Sequence, residues 1–241
     1  MPDRKSWGPL LALVLALTLF LPGAAARAAD KGEPPTDEIK RVEDAARVLK
    51  EMMSESDKSI PVKLLEHSAG IAILPDVIKA AYIIGGRHGN GVLLVRGKDG
   101  RWSNPVFISI TGGSFGWQLG VESADIILVF RTARGIDNIT HGKFTLGADA
   151  GVAAGPLGRA AEASTDVELK AEIYSYSRSR GLYAGLSVQG ASLHVDAKAN
   201  RKFYGMDKIV PQDIFAGKVG EVPDAAGTLR KALEEFSRSS Y

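Results

Sequence analysis

Cysteine is absent from the 241 residues, which removes disulfides, thiolate metal sites, a cysteine nucleophile and a lipid-modified N-terminal cysteine together. Aromatic residues make up only 7% of the chain and histidines number four. His67, His88, His141 and His194 are scattered. Asp137 and His141 can share a helical face, but two ligands fall short of a metal site, so the sequence calls for no metal and no cofactor. Net charge is also low. Arg4, Lys5, Arg27 and Asp3 account for the whole of the +2, which leaves the rest of the chain near neutral and gives bulk attraction to nucleic acid no basis. The longest apolar run, Leu10 to Leu21, is 12 residues, well short of the ~20 that span a bilayer as a helix.

What that run does resemble is the middle of a secretion signal. Arg4 and Lys5 precede it, and Pro22-Gly23 then leads into Ala24-Ala25-Ala26-Arg27-Ala28-Ala29, with small residues placed for cleavage after Ala28. The expected organisation is a signal peptide over 1–28, a flexible lead-in over 29–35 and a single domain over 36–241. The expected location is the periplasm or the exterior, with peripheral membrane association open to it.

Glycine is the abundant residue, at 27, and most of it falls between Gly70 and Gly190 among apolar and β-branched residues, the pattern of turns and close contacts in a β-rich body. Thr36 precedes Asp37 and Glu38, and Ile39, Val42, Ala46, Leu49 and Met53 recur at helical spacing, which predicts an amphipathic helix over Thr36 to Met53. Whether that helix packs on the core or enters a membrane stays open. Ile71 to Leu74, Ala81 to Ile84, Val92 to Val95, Val106 to Ile110 and Ile126 to Phe130 read as buried strands, with turns expected at Gly85 to Gly91 and at Lys98-Asp99-Gly100. A helical excursion is expected over Thr132 to Ile139. A hairpin is expected from Val167 to Ile173 and Leu182 to Val188, linked by Ser177 to Gly181, and a closing helix over Ala225 to Phe236. The fold class is α+β: a mostly antiparallel curved sheet or partly closed barrel with covering helices at both ends.

Three stretches invite a chemical reading. Gly112-Gly113-Ser114-Phe115-Gly116 fits the nucleophile-elbow pattern, with Asp125 or Asp137 and then His141 or His194 downstream. However, Trp117, Leu119 and Val121 alternate with Gln118, Gly120 and Glu122 as a strand does, where the elbow needs a helix. A serine hydrolase using Ser114 is therefore the lesser alternative. Gly151, Gly155 and Gly158 leave backbone amides uncovered beside Arg159, a combination that suits a phosphate or carboxylate. Arg178, Arg180, Lys198, Arg201 and Lys202 form the one local basic excess and flank Tyr174, Tyr176 and Tyr183, a pairing suited to a membrane interface.

Several separated motifs give the body a resemblance to a known family. They are the stretch from Ile60 through Ala72, ending Ser68-Ala69-Gly70-Ile71-Ala72, then Gly85-Gly86 with Gly89 and Gly91, Trp102-Ser103-Asn104-Pro105, Gly112 through Gly120, Ala154 through Arg159, and Tyr174-Ser175-Tyr176-Ser177 followed by Gly181 through Gly185. In this order, from about Glu38 to Gly205, they resemble the SYLF domain, also called the Ysc84-type actin-binding domain. The resemblance implies a binding module without enzymatic activity. Its eukaryotic relatives are associated with phosphoinositides and some with actin, and secreted bacterial ones resemble binders of anionic phospholipid. The expected partner is an anionic phospholipid membrane, contacted by Arg159, Arg178, Arg180, Lys198, Arg201 and Lys202 with the backbone of Gly155 and Gly158. The alternative is a structural or protein-interaction role with an envelope protein; a signal peptide argues against actin.

Overall fold

Helix α1, Thr36–Ser54, opens with Asp37 and Glu38 at its positive dipole end. Its buried stripe is Val42, Ala45, Ala46, Val48, Leu49 and Met52, a wider face than the spacing of Ile39 and Met53 predicts, and those two are only partly covered. The computed structural model describes residues 36–238 other than 55–58, 82–83, 116–119, 143, 159–169, 180–181 and 185–187. After the short helix α2, Val62–Glu66, come four long strands: β1 Gly70–Ala81, β2 Ile84–Val95, β3 Val106–Phe115 and β4 Gly120–Phe130. Helix α3, Ala133–Thr140, and strands β5 Phe144–Thr145, β6 Val152–Ala154, β7 Ile173–Ser179, β8 Leu182–Ala184 and β9 Ser192–Val195 are next. Helices α4 Ala197–Tyr204, α5 Pro211–Phe215 and α6 Asp224–Phe236 close the described chain.

The strands form one sheet in the order β5-β9-β3-β2-β1-β4-β7-β6, with β8 paired to β7. Every pairing is antiparallel except β6 with β7, in keeping with the mostly antiparallel curved sheet expected. The curl is visible in α3, which touches β4 as well as β5 and β9, strands far apart in the sheet order.

Continuous burial of Ile71 to Leu74, Val92 to Leu94, Val106 to Ile108 and Ile126 to Phe130 means that the inner halves of the long strands are covered on both faces, since neighbouring side chains point oppositely. Helix α1 lies across β1 and β2 and against α6, which buries Leu229 and Leu233. Ile136 of α3 packs so closely on Gly70 that a Cβ there would meet it at 2.6 Å. Asp196 caps α4 by accepting from the Ala199 amide at 3.0 Å. Asn200 of that helix accepts from the Phe107 N–H at 2.9 Å and donates to its carbonyl at 3.2 Å, so a side chain extends the ladder at the start of β3.

Two expectations are corrected. Gly85 to Gly91 is not a turn but the first half of β2, paired with β1 on one side and β3 on the other. Glycine is needed there for close approach: a Cβ on Gly89 would lie 2.7 Å from the Val77 side chain. Ser177 to Ser179 is likewise strand, pairing with Leu182 to Ala184, so the hairpin sits further along the chain than alternation suggests; Val167 lies outside the described residues. The Asp99-Gly100 turn, α3 and α6 fall where the sequence puts them. A bulge interrupts β1 at Pro75-Asp76, where proline has no N–H to offer the ladder and Asp76 adopts a φ of 47°.

Leu49 is fully buried, so Leu49→Ala is expected to lower stability by about 3 kcal/mol, read from the denaturant midpoint. Lys50→Ala, on the exposed side of the same helix, should change it by less than about 0.5 kcal/mol.

Candidate functional site

The basic residues picked out from sequence fall into two groups separated by α1. At one end of that helix, Lys202 Nζ pairs with Glu38 Oε2 at 2.8 Å and Arg41 pairs with Asp196 at 3.1 Å. The Arg41 guanidinium also stands 5.4 Å over the Phe107 ring. Lys198 and Arg201 are exposed on the same helix as Lys202. At the other end, Arg178 on β7 pairs with Glu51 and, at 3.3 Å, with Asp125 on β4. A helical rise of 1.5 Å per residue puts Glu38 and Glu51 about 20 Å apart, so Arg178 does not share a patch with Lys198, Arg201 and Lys202. Arg159 and Arg180 lie outside the described residues.

Arg178 is also enclosed, its side chain 18% exposed. Asp125 accepts from the Asp76 N–H at 3.1 Å, which braces the bulge, while Arg47 links Asp44 and Glu51 along α1. Burial pushes the Asp125 carboxyl above its ordinary value, against the pull of the Asp76 amide. This network ties the C-terminal half of α1 to β1, β4 and β7. Its cation is engaged inside the fold.

The glycine loop is committed to packing. Gly155 N–H donates to Ser175 O at 2.9 Å and Gly158 N–H to Ser59 O at 3.0 Å, so neither amide points to a ligand. A Cβ built on Gly155 would run into the Tyr176 ring. Tyr174 and Tyr176 are buried rather than displayed at an interface. The Tyr174 hydroxyl accepts from the Ala171 amide at 3.2 Å and the Tyr176 hydroxyl donates to Pro156 O at 3.2 Å, and burial raises the Tyr176 phenol well above its ordinary value.

The elbow is not formed. Ser114 sits in β3 opposite Gly85, in extended backbone rather than at a sharp strand-to-helix turn. Its proposed partners are engaged elsewhere: Asp125 with Arg178, His194 with the Thr111 hydroxyl at 3.0 Å, and the His141 ring with Asp137 O at 2.6 Å.

Sequence reasoning missed the outer end of the long strands. Beyond the bulge, Ile78 is 51% and Val121 71% exposed. The available signal was absence of charge, since Ala80 to Gly86 and Gly112 to Val121 contain no charged residue.

The family model described as Ysc84, Las17-binding protein actin regulator, matches residues 111–236. The chain is 37% identical over 199 residues to SH3 domain-containing YSC84-like protein 1 of Xenopus laevis, covering 80% of this chain and 59% of that protein. It is 38% identical over 198 residues to Protein YSC84 of Saccharomyces cerevisiae, covering 79% and 42%. With LAS seventeen-binding protein 3 of the same yeast it shares 37% over 182 residues, covering 74% and 39%. The chain thus spans about half the length of these relatives. It belongs to the Ysc84, or SYLF, family. None of these three relatives carries an enzyme's name.

Asp125 and Arg178 are expected to separate in a stability titration. Because the folded carboxyl titrates above its unfolded value of 3.8, its contribution is most favourable below that value and declines as pH rises through the raised one. Asp125→Asn should remove that decline from the pH dependence of the urea midpoint. Arg178→Ala leaves the buried Asp125 without its cation, while Glu51 keeps Arg47, and should cost about 3 kcal/mol at neutral pH.

Proposed function

We propose that this domain binds anionic phospholipid surfaces without chemistry, meeting them with the outer end of its four long strands. The exposure of Val121 and Ile78, on strands whose inner halves are wholly buried, carries the reading. Val121 stands opposite Ala80, Ala80 opposite Gly86, and Gly86 opposite Gly113, which makes an uncharged row across the sheet. The next row on that face is Ser123, Ile78, His88 and Thr111. Glu122, Lys79 and Arg87 stand side by side on the opposite face. An apolar end with cations close behind suits the boundary between acyl chains and phosphates. Lys198 and Arg201, exposed on α4, are further candidates for headgroup contact, as are Lys202, Arg159 and Arg180. No described helix is long and apolar enough to cross a membrane, so the attachment proposed is peripheral.

Export to the periplasm or exterior belongs to the same proposal, directed by residues 1–28. A second reading, a protein partner, is favoured by the relatives' names, two of which speak of binding LAS seventeen or likeness to Ysc84. The described ends of the sheet path, β5 of two residues and β6 of three, give little length for strand addition.

Liposome co-sedimentation discriminates. Binding is expected to anionic and not to neutral vesicles, and Val121→Asp should weaken it by about tenfold, the loss of one inserted valine. Lys198→Glu and Arg201→Glu should each weaken it by about fivefold. Equal binding to both vesicle types, or none, overturns the proposal, and partners that survive lipid extraction in a pull-down would favour the second reading. N-terminal sequencing of exported protein should begin at Ala29; an intact Met1 counts against export by cleavage.

A further inference from the structure

Beyond Thr111 one strand of the sheet drops away. Strand β9 pairs with β3 only from Ile108↔Val195 to Thr111↔Ser192, because the chain leading into it arrives from the β5 side. Residues Val188 to Ala191 form a turn there, with Gly190 at a φ of 77° and the Ala191 N–H donating to Val188 O at 3.1 Å. The Gly190 N–H donates to Leu146 O at 2.8 Å. Strand β3 meanwhile runs on to Phe115, paired with β2 through Gly113↔Gly86, Ser114↔Gly85 and Phe115↔Ile84. Its opposite edge has no strand beside it past Thr111 among the described residues.

Which groups stand on that edge follows from the ladder. The Asp196 N–H donates to Phe107 O at 2.9 Å, so Phe107 turns its backbone groups toward β9. Alternate residues do the same, namely Ser109, Thr111, Gly113 and Phe115. The first two meet His194 and Ser192, whereas the N–H and C=O of Gly113 and of Phe115 meet no strand among the described residues. Gly113 is exposed, and a Cβ built on it would touch nothing within 4 Å. Native edges are usually blunted by lysine, proline or a bulge. Val106 to Phe115 contains neither a charge nor a proline, and its register with β2 is unbroken.

We infer that this edge is an interface between two copies of the chain, joined by antiparallel pairing of β3 with itself. Register decides the occupant. With Gly113 opposite the partner's Phe115, and Phe115 opposite the partner's Gly113, all four outward groups of each copy are bonded at once, and position 114 falls on the two-fold axis. Setting Gly113 opposite Gly113 would instead place Phe115 against Thr111, whose groups Ser192 already holds. The open length is thus its own complement, and a foreign strand has no such register built into it. Charge permits the pairing: β3 carries none, and Arg87, opposite Gly112 on β2, is one strand back from the edge. The axis is normal to the sheet, so the uncharged row from Val121 to Gly113 lies on the same face in both copies. Four residues a side fall well below the ~800 Å² per partner of a stable interface, so the association is weak, with Kd ~0.1 mM.

The test needs no membrane, which separates its result from that of the strand-end proposal. The chain has no cysteine, so a single introduced thiol is a clean probe. A non-hydrogen-bonded antiparallel pair stands ~4.5 Å apart at Cα, inside the disulfide range. Ser114→Cys is therefore expected to form a disulfide-linked dimer under mild oxidation about tenfold faster than Gly86→Cys, whose positions in the two copies lie three strand spacings, about 14 Å, apart. Amide hydrogen exchange of the unmodified full chain gives a second readout. The Gly113 and Phe115 amides are expected to exchange about fourfold more slowly at ~1 mM than at ~10 μM, while those of Gly112 and Ser114, turned to β2, do not change. Gly113→Pro removes an outward N–H and keeps the β2 ladder, so it should abolish the concentration dependence at Phe115, its fold being checked by circular dichroism. Equal cross-linking of the two cysteine variants, or exchange at Gly113 and Phe115 that is independent of concentration in the unmodified chain, overturns the inference.

Discussion

Everything in this fold depends on four antiparallel strands whose inner halves have no wet face. Runs such as Ile71 to Leu74 and Ile126 to Phe130 are buried without a break, so each face needs its own cover. Burying apolar side chains stabilises in proportion to area, and a sheet apolar on both sides cannot realise that stabilisation without packing partners on both. The curl of the sheet around α3 and the lay of α1 across it, with α6 packed against α1, are the response. The cover does not reach the strands' outer ends. Beyond the bulge at Pro75-Asp76, the same ladders run on with Ile78 and Val121 turned to solvent.

The charged residues near α1 serve first to hold that helix in place. Its two ends are tied by Lys202 to Glu38 and by Arg178 to Glu51 and Asp125, on opposite sides of the sheet path. The enclosed Arg178 pair is the more demanding one, because a charge taken from water needs its counterion. Its partner Asp125 also receives the amide of the bulged Asp76, so the irregularity in β1 and the docking of α1 are parts of one arrangement. Basic residues near in sequence, Arg178 and Lys198 to Lys202, end in different roles because β8 and β9 carry the chain across the sheet between them.

Glycine has two uses here that composition does not separate. Gly100, with φ of 77°, serves a turn, as the Asp99-Gly100 pair predicts. Gly70, Gly89 and Gly155 instead admit Ile136, Val77 and Tyr176 to the space a side chain would fill. That second use holds for Gly89, Gly91 and Gly112 within strands, whereas a Cβ at Gly86 or Gly113 would meet nothing within 4 Å; in the loop, the amides of Gly155 and Gly158 are bound to carbonyls of the fold rather than left open.

By itself the sequence determined the element types wherever a local period governs them. Helix α1 and helix α6 were legible because apolar residues three and four apart define a face, and the inner strands because short apolar runs stand between turn signals. The family, too, was legible, from several separated motifs in one order along the chain. What only the tertiary structure decided was which of the chemically suggestive residues stand together. Alternation along one strand says nothing of what lies opposite, so Ser114 faces Gly85, Tyr174 and Tyr176 turn inward, and Arg178 meets an acid 127 positions away. The exposed strand ends depend likewise on where distant helices stop covering the sheet, a matter of packing in three dimensions that an uncharged stretch accompanies but does not decide.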